Sequence, residues 1–358
     1  MNDRAVASFI TAPQHGPRPL PLFLSMLHQN GAASPERIAS ALAGLRAYQD
    51  APRHDAGNTV PAYAAAGRAR MLDFGGAADG PPVVLVPSLI NPHSILDMGQ
   101  RSSLARYLAA AGHRTFLIDW GHPTGADRDQ SLGDHVTALL LPMLAQLDRP
   151  PVLVGYCLGG TLALAAAMLH PVAGVALIAA PWRFDGYGER ARADIASGWR
   201  DSRVACDALG LVPMEVLQAG FWRIDPERTI DKYVRFGTLS PDSDAARQFV
   251  LLEDWANAGA PLTLAAGREL FDDLISADAS GRGAWSVGGR TVMPGALSCP
   301  MVEFVSTSDR IVPAASAIGL GDQRRLTAGH VGMVVGSRAA EQLWAPLSDW
   351  LSGLTDAR

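Results

Sequence analysis

At 358 residues, 48% of them hydrophobic, the chain can bury a large core, either as one domain with an insertion or as two domains. Its formal net charge of −5, with no basic tail or stripe, points to a soluble, mildly acidic globular protein and away from general nucleic-acid binding. Three cysteines, Cys157, Cys206 and Cys299, stand far apart and are odd in number, so neither a disulfide framework nor a metal site is expected, no cofactor is called for, and a reducing compartment suits a working thiol.

Residues 1–60 are rich in Ala, Pro and Gly and read as an N-terminal arm, with one amphipathic helix from Ser34 to Tyr48 carrying Ile38, Leu42 and Leu45. The opening lacks a long apolar stretch and no apolar run reaches membrane-spanning length, so a cytoplasmic protein without a transmembrane segment is expected. Regular alternation begins at Pro82, where VVLVPSLI reads as a buried strand running into a loop from Pro87 to Pro92. The amides of Ser88 and Leu89 at that strand end are candidate oxyanion donors; an ordinary Pro-terminated turn is the competing reading. A helix from about Asp97 to Ala111 and the strand HRTFLIDW follow. Ser131, with Asp134 three residues on, opens a capped helix with Leu132, Val136, Leu139, Leu140, Met143 and Leu147 on one face and a kink expected at Pro142.

Next comes PVLVGYCLGGTLALAAAML, Pro151 to Leu169: a buried strand, a Gly-rich corner and an apolar helix. Gly155, Tyr156, Cys157, Leu158 and Gly159 reproduce the strained strand-to-helix elbow Gly-x-Ser-x-Gly, with cysteine where serine usually stands. The helix that follows aims its free N–H groups at the sulfur, which favours thiolate and offers the amide of Leu158 to an oxyanion. After the strand GVALIAAP the rhythm is lost from about 183 to 290, a stretch with Trp199, Trp222, Trp255 and Trp285 that reads as an inserted cap. The sheet resumes with PMVEFVSTSD, ending on Asp309, and RRLTAG, delivering His330. A closing helix, Ser337 to Leu351, is expected to kink at Pro346.

Successive strand–helix units imply a doubly wound, mostly parallel sheet. The order Cys157, Asp309, His330, each at a strand C-terminus, is that of nucleophile, acid and histidine in an α/β-hydrolase fold occupying 61–358 with the cap inserted. His330 would take the thiol proton while Asp309 fixes its tautomer. His93 and His122 are rival bases, and Asp97 and Asp119 rival acids. A thiol nucleophile conserves the thioester of an acyl donor, so the arrangement favours a thioester donor and an alcohol acceptor wherever water is excluded.

Five blocks in the same order resemble the polyhydroxyalkanoate synthases of the shorter-chain, two-subunit (class III-like) type: VPSLINPHSILDM (Val86–Met98), LIDWGHPTGADR (Leu117–Arg128), GYCLGG (Gly155–Gly160), TSDRIVP (Thr307–Pro313) and AGHVGMVVG (Ala328–Gly336). The resemblance runs from about Val83 to Leu351 and puts that family's nucleophile on Cys157, its acid on Asp309 and its base on His330. It implies an acyltransferase that takes (R)-3-hydroxyacyl-CoA as donor and the hydroxyl end of a polyester chain as acceptor and releases CoA. It also implies a homodimer, a possible second synthase subunit and a place at polyester granules. Two other readings stay open: a thiol hydrolase, either thioesterase or intracellular polyester depolymerase, and a non-catalytic granule-associated subunit, against which the intact Cys157, Asp309 and His330 speak.

Overall fold

The computed structural model describes residues 16–31, 34–53, 60–319 and 321–356. They fall into two compact units, one formed by the described residues before Gly57 together with Leu217–Ala258, the other by Gly57–Val216 and Gly259–Arg358.

In the larger unit eight strands among the described residues form one sheet: β1 (Ala62–Ala66), β2 (Ala69–Gly75), β3 (Val83–Val86), β4 (Thr115–Asp119), β5 (Val152–Tyr156), β6 (Gly174–Ile178), β7 (Met301–Ser306) and β8 (Asp322–Leu326). Their order is β1-β2-β4-β3-β5-β6-β7-β8. The pairs β1–β2 and β2–β4 are antiparallel, and from β4 to β8 every pairing is parallel. Every residue of β3, β4, β5 and β6 is buried, as parallel strands covered on both faces require. The chain leaves β3 for β4 on one side and returns to place β5 on the other. The carboxyl ends of β3 and β5 are therefore neighbours at a switch point, where open α/β sheets bind ligands.

The strands expected from Pro82 onward are all present, whereas the β1–β2 hairpin was not anticipated: its Ala-rich segments carry little β signal, and its turn at Gly67 (φ 55°) is marked by one glycine. The helix expected from Asp97 begins at Leu104 instead, because Ser103 caps it by accepting the Arg106 N–H, and Asp97 closes a separate 3-10 turn, His93–Leu96. Ser131 and Asp134 form the expected capping box. Both helix prolines are met by a widened turn: π segments His135–Leu140 and Ala340–Trp344 come just before Pro142 and Pro346. Proline lacks an N–H and its ring collides with the carbonyl four residues back, and a π turn relieves that crowding.

The smaller unit is helical: Leu20–Gly31, Pro35–Asp50, Pro226–Phe236 and Asp244–Asn257 surround an aromatic core of Phe23, Tyr48, Trp222, Tyr233, Phe236 and Phe249. The middle of the stretch read as an inserted cap consists of helices that share a core with the N-terminal ones. The helix expected from Ser34 to Tyr48 is present as Pro35–Asp50 with Ser34 as its cap, but the buried face runs through Ala41, Leu45 and Tyr48, while Leu42 is 41% exposed. The face is set by Gly44, where a Cβ would lie 1.8 Å from the Tyr233 carbonyl oxygen, so two helix backbones meet there.

Candidate active site

Cys157 follows β5 and caps helix Leu158–Leu169, with φ 55° and ψ −133°, a conformation that costs a non-glycine residue about 1–3 kcal/mol. It persists because the neighbours over-determine it. The Cys157 N–H donates to the Ile178 carbonyl of β6 (2.9 Å), and its own carbonyl accepts the Gly160 N–H (2.8 Å). Gly155 and Gly159 are required by crowding: a Cβ on the first would stand 2.3 Å from Gly160 Cα, and on the second 2.1 Å from the Val86 carbonyl oxygen and 2.5 Å from that of Pro87. The elbow therefore rests directly on the end of β3.

Asp309 and His330, 21 residues apart in sequence, meet at the neighbouring strand ends: Asp309 Oδ2 accepts from His330 Nδ1 at 2.6 Å, and both residues are buried. The other carboxylate oxygen of Asp309 accepts the N–H groups of Ile311 (2.8 Å) and Val312 (2.9 Å), which fixes its plane. Cys157 lies near enough for its charge to act on the imidazole. Burial pushes His330 toward the neutral form. The charge of Cys157, the hydrogen bond to Asp309 and the charge of Asp309 outweigh burial, raising His330 to about 10. The structure thus joins Asp309 and His330 directly, with Cys157 near enough for its charge to act on the imidazole.

The amides of Leu158, Ser88 and Leu89 have no acceptor among the described residues. Ser88 and Leu89 lie just beyond Val86 and Pro87, against which Gly159 packs, so these free donors belong to the loop beside the elbow. The Ser88 hydroxyl accepts the Ile90 N–H (3.2 Å), and Trp120 Nε1 donates to the Pro87 carbonyl (3.0 Å), which together hold that loop.

Three of the four rivals, Asp97, Asp119 and His93, are engaged elsewhere. Asp97 forms a two-point pair with Arg106 (2.7 and 3.1 Å). Asp119 pairs with His93 (3.2 Å) and Arg70 (2.7 Å); burial pushes its carboxyl up, but His93, the Gly121 N–H and Arg70 hold it below the usual carboxylate range. His122 is exposed. Cys206 is buried and Cys299 half-buried, and burial pushes both thiols up.

Two tyrosines at the site were not singled out from sequence. Tyr156 is buried, stacks on the His330 ring and donates from its hydroxyl to the His330 carbonyl (3.2 Å). Tyr187, on the 3-10 turn Phe184–Tyr187 and stacked on Phe184 at 5.6 Å, has its hydroxyl pushed up by burial and then by the charges of Cys157 and Asp309. No sequence spacing links either ring to the histidine; only the position of Tyr156 beside the nucleophile was a signal.

A nucleophile turn after β5 and an acid–histidine pair after β7 and β8 define a class of fold, and residues 83–344 match the profile of the alpha/beta hydrolase family: the chain belongs to that family. It is similar to the poly(3-hydroxyalkanoate) polymerase subunit PhaC of Haloferax mediterranei, 28% identical over 292 residues covering 76% of this chain and 58% of that protein. It is also similar to the protein of the same name from Thiocystis violacea, 26% identical over 291 residues covering 76% of this chain and 80% of that one. The chain spans less than two thirds of the length of the Haloferax relative. Among solved structures, a carboxylesterase of Nitrososphaera gargenis superposes with a TM-score of 0.50 at 15% identity, covering 83% of this chain and all of that one, a likeness of fold. Among the described residues no helix is long and apolar enough to cross a membrane, and no group of three or more His, Cys, Asp or Glu could hold a metal ion.

Proposed function

We propose that the chain is an acyltransferase that polymerises (R)-3-hydroxyacyl-CoA through a Cys157–His330–Asp309 triad. The observation that carries this reading is a cysteine at the elbow whose charge acts on a histidine that Asp309 holds at 2.6 Å, in a chain similar to polymerase subunits over 76% of its length. The Cys157 thiol gives its proton to His330, and the thiolate attacks the acyl-CoA carbonyl. The oxyanion so formed is met by the amide of Leu158 and by an amide of Ser88 or Leu89. On collapse the C–S bond to CoA breaks, and His330 returns its proton to the departing CoA thiolate. The acyl group now sits on Cys157 as a thioester. His330 then takes the proton of the acceptor hydroxyl, the alkoxide attacks the acyl carbon, an ester forms, and the thiolate leaves to regain the proton from His330. Asp309 holds Nδ1 protonated throughout, so that Nε2 faces the sulfur.

The test supplies purified protein with 3-hydroxybutyryl-CoA, follows free CoA with a thiol reagent and weighs the acyl product by mass spectrometry. CoA release with oligomeric polyester supports the proposal. Release with only the free hydroxy acid establishes a thiol hydrolase instead. The Cys157→Ala variant should abolish both, and full turnover by that variant would overturn the assignment. Sizing of the active species reads whether a homodimer or a second subunit is needed.

A further inference from the structure

We propose that Tyr156 is a positioning residue for His330, clamping the imidazole on its face and at its backbone and favouring its charged form. This inference rests on the triad reading above. The in-plane hydrogen bond of Nδ1 with Asp309 leaves the imidazole free to tilt about it. A contact on the face of the ring removes that freedom. Tyr156 supplies it: the two ring centroids are 5.0 Å apart at an interplanar angle of 27°. The phenol hydroxyl donates to the carbonyl of His330 itself (3.2 Å), so the same side chain pins the backbone from which the imidazole hangs.

Tyr156 is the last residue of β5, and the next residue is the nucleophile. One strand end thus delivers the sulfur and sets the angle of its base, and a shift of β5 would move both together. The electrostatics act in the same sense. A positive ring is attracted to the negative face of a tyrosine, and the attraction grows when water is excluded; Tyr156 is 3% and His330 8% exposed. The other groups facing this imidazole are Cys157 on the elbow and Asp309 after β7, with Tyr187 in reach of both charges. The 3-10 turn His93–Leu96 packs against helix Gly332–Val335 just after His330, and its His93 is paired with Asp119.

The experiment follows the Cε1–H resonance of His330, assigned by its loss in His330→Gln, as pH is raised in the wild type, Tyr156→Phe and Tyr156→Leu. In the wild type the stacked ring should shift this resonance upfield, and its absence overturns the inference even if Tyr156→Leu does not fold. Tyr156→Phe keeps the stack and should keep the wild-type titration. Tyr156→Leu should lower the His330 midpoint by about half a pH unit or more. In acyl-CoA turnover Tyr156→Leu should lose roughly tenfold or more in kcat with KM little changed, as expected for a tilted base. Identical titrations and rates in all three proteins would refute the role of Tyr156 while leaving the triad standing. A wild-type His330 titration that is unmoved by Cys157→Ala would overturn the triad reading and this inference with it.

Discussion

Replacing Gly159 by alanine tests how tightly the elbow is seated on β3. The added Cβ would lie 2.1 Å from the Val86 carbonyl oxygen and 2.5 Å from that of Pro87, roughly 1 Å or more inside the distance at which such contacts become favourable. Both obstacles are backbone. Val86 is held in register opposite Gly155, and the Pro87 carbonyl accepts the Trp120 indole N–H at 3.0 Å, so neither can swing aside as a side chain would. Overpacking of this kind costs about 1–3 kcal/mol, and weakening the Trp120 bond adds about 1 kcal/mol, for a total of about 2–4 kcal/mol. In a unit of this size that should lower the melting temperature by roughly 5–10 °C. The displacement also separates the amides of Ser88 and Leu89 from Cys157, and a misplacement of about 1 Å costs on the order of a hundredfold in rate. Calorimetry and CoA release on the same preparation read the two effects. A variant that melts within about 2 °C of the wild type and turns over within about twofold of it would show that the elbow does not lean on β3 in this way.

The Asp309→Asn variant keeps the shape of the acid but loses the charge that holds Nδ1 protonated, and acyl transfer should fall by about a hundredfold to ten-thousandfold, measured as kcat/KM for acyl-CoA; a loss below about tenfold would remove Asp309 from the triad. His330 is raised from 6.5 to about 10 in the folded chain, so its contribution to stability is complete below 6.5 and is lost as pH rises through about 10. Urea unfolding from about pH 6 to about pH 10 should accordingly show the gap between the wild type and His330→Gln narrowing toward the alkaline end, and a gap that widens there would contradict the sign. In the helical unit both carboxylate oxygens of Glu253 accept from Lys232 Nζ (2.8 Å each) and one accepts the Tyr233 hydroxyl (2.9 Å). Glu253→Ala leaves a half-buried ammonium and a buried phenol unpaired, and should cost about 3 kcal/mol by urea unfolding; a cost below about 1 kcal/mol would mean that water replaces the carboxylate.

The parts of the site that sequence made legible are those fixed by local backbone chemistry. Gly155 and Gly159 around Cys157 announce an elbow because the turn excludes side chains at both positions, and the run VLVGY announces a central strand because burial on both faces admits only apolar residues. Asp309 and His330 were legible for a related reason: Asp309 follows the buried strand β7 and His330 the polar edge strand β8, and the sheet brings successive strand ends to one edge. What sequence did not reveal was decided by partners distant in the chain. Leu42 looks like a core residue by its spacing, yet Gly44 meets the backbone of Pro226–Phe236 and turns the buried face toward Ala41, Leu45 and Tyr48. The start at Leu104 rather than Asp97 follows the same logic, since Arg106 draws Asp97 into an ion pair and leaves the cap to Ser103.

Tyr156 shows where the two kinds of information meet. Within β5 it is one more buried residue before a corner, and its aromatic ring satisfies the strand as well as any β-branched side chain would. Its second partner, His330, is 174 residues away and arrives only when β8 takes its place at the far edge of the sheet. The elbow is held by its immediate neighbours β3 and β6, but the geometry of its base depends on the whole row from β5 through β6 and β7 to β8. A change in the register of β7 against β8 should therefore move His330 relative to Asp309 and to Tyr156 together, altering the 2.6 Å contact and the angle between the two rings at once.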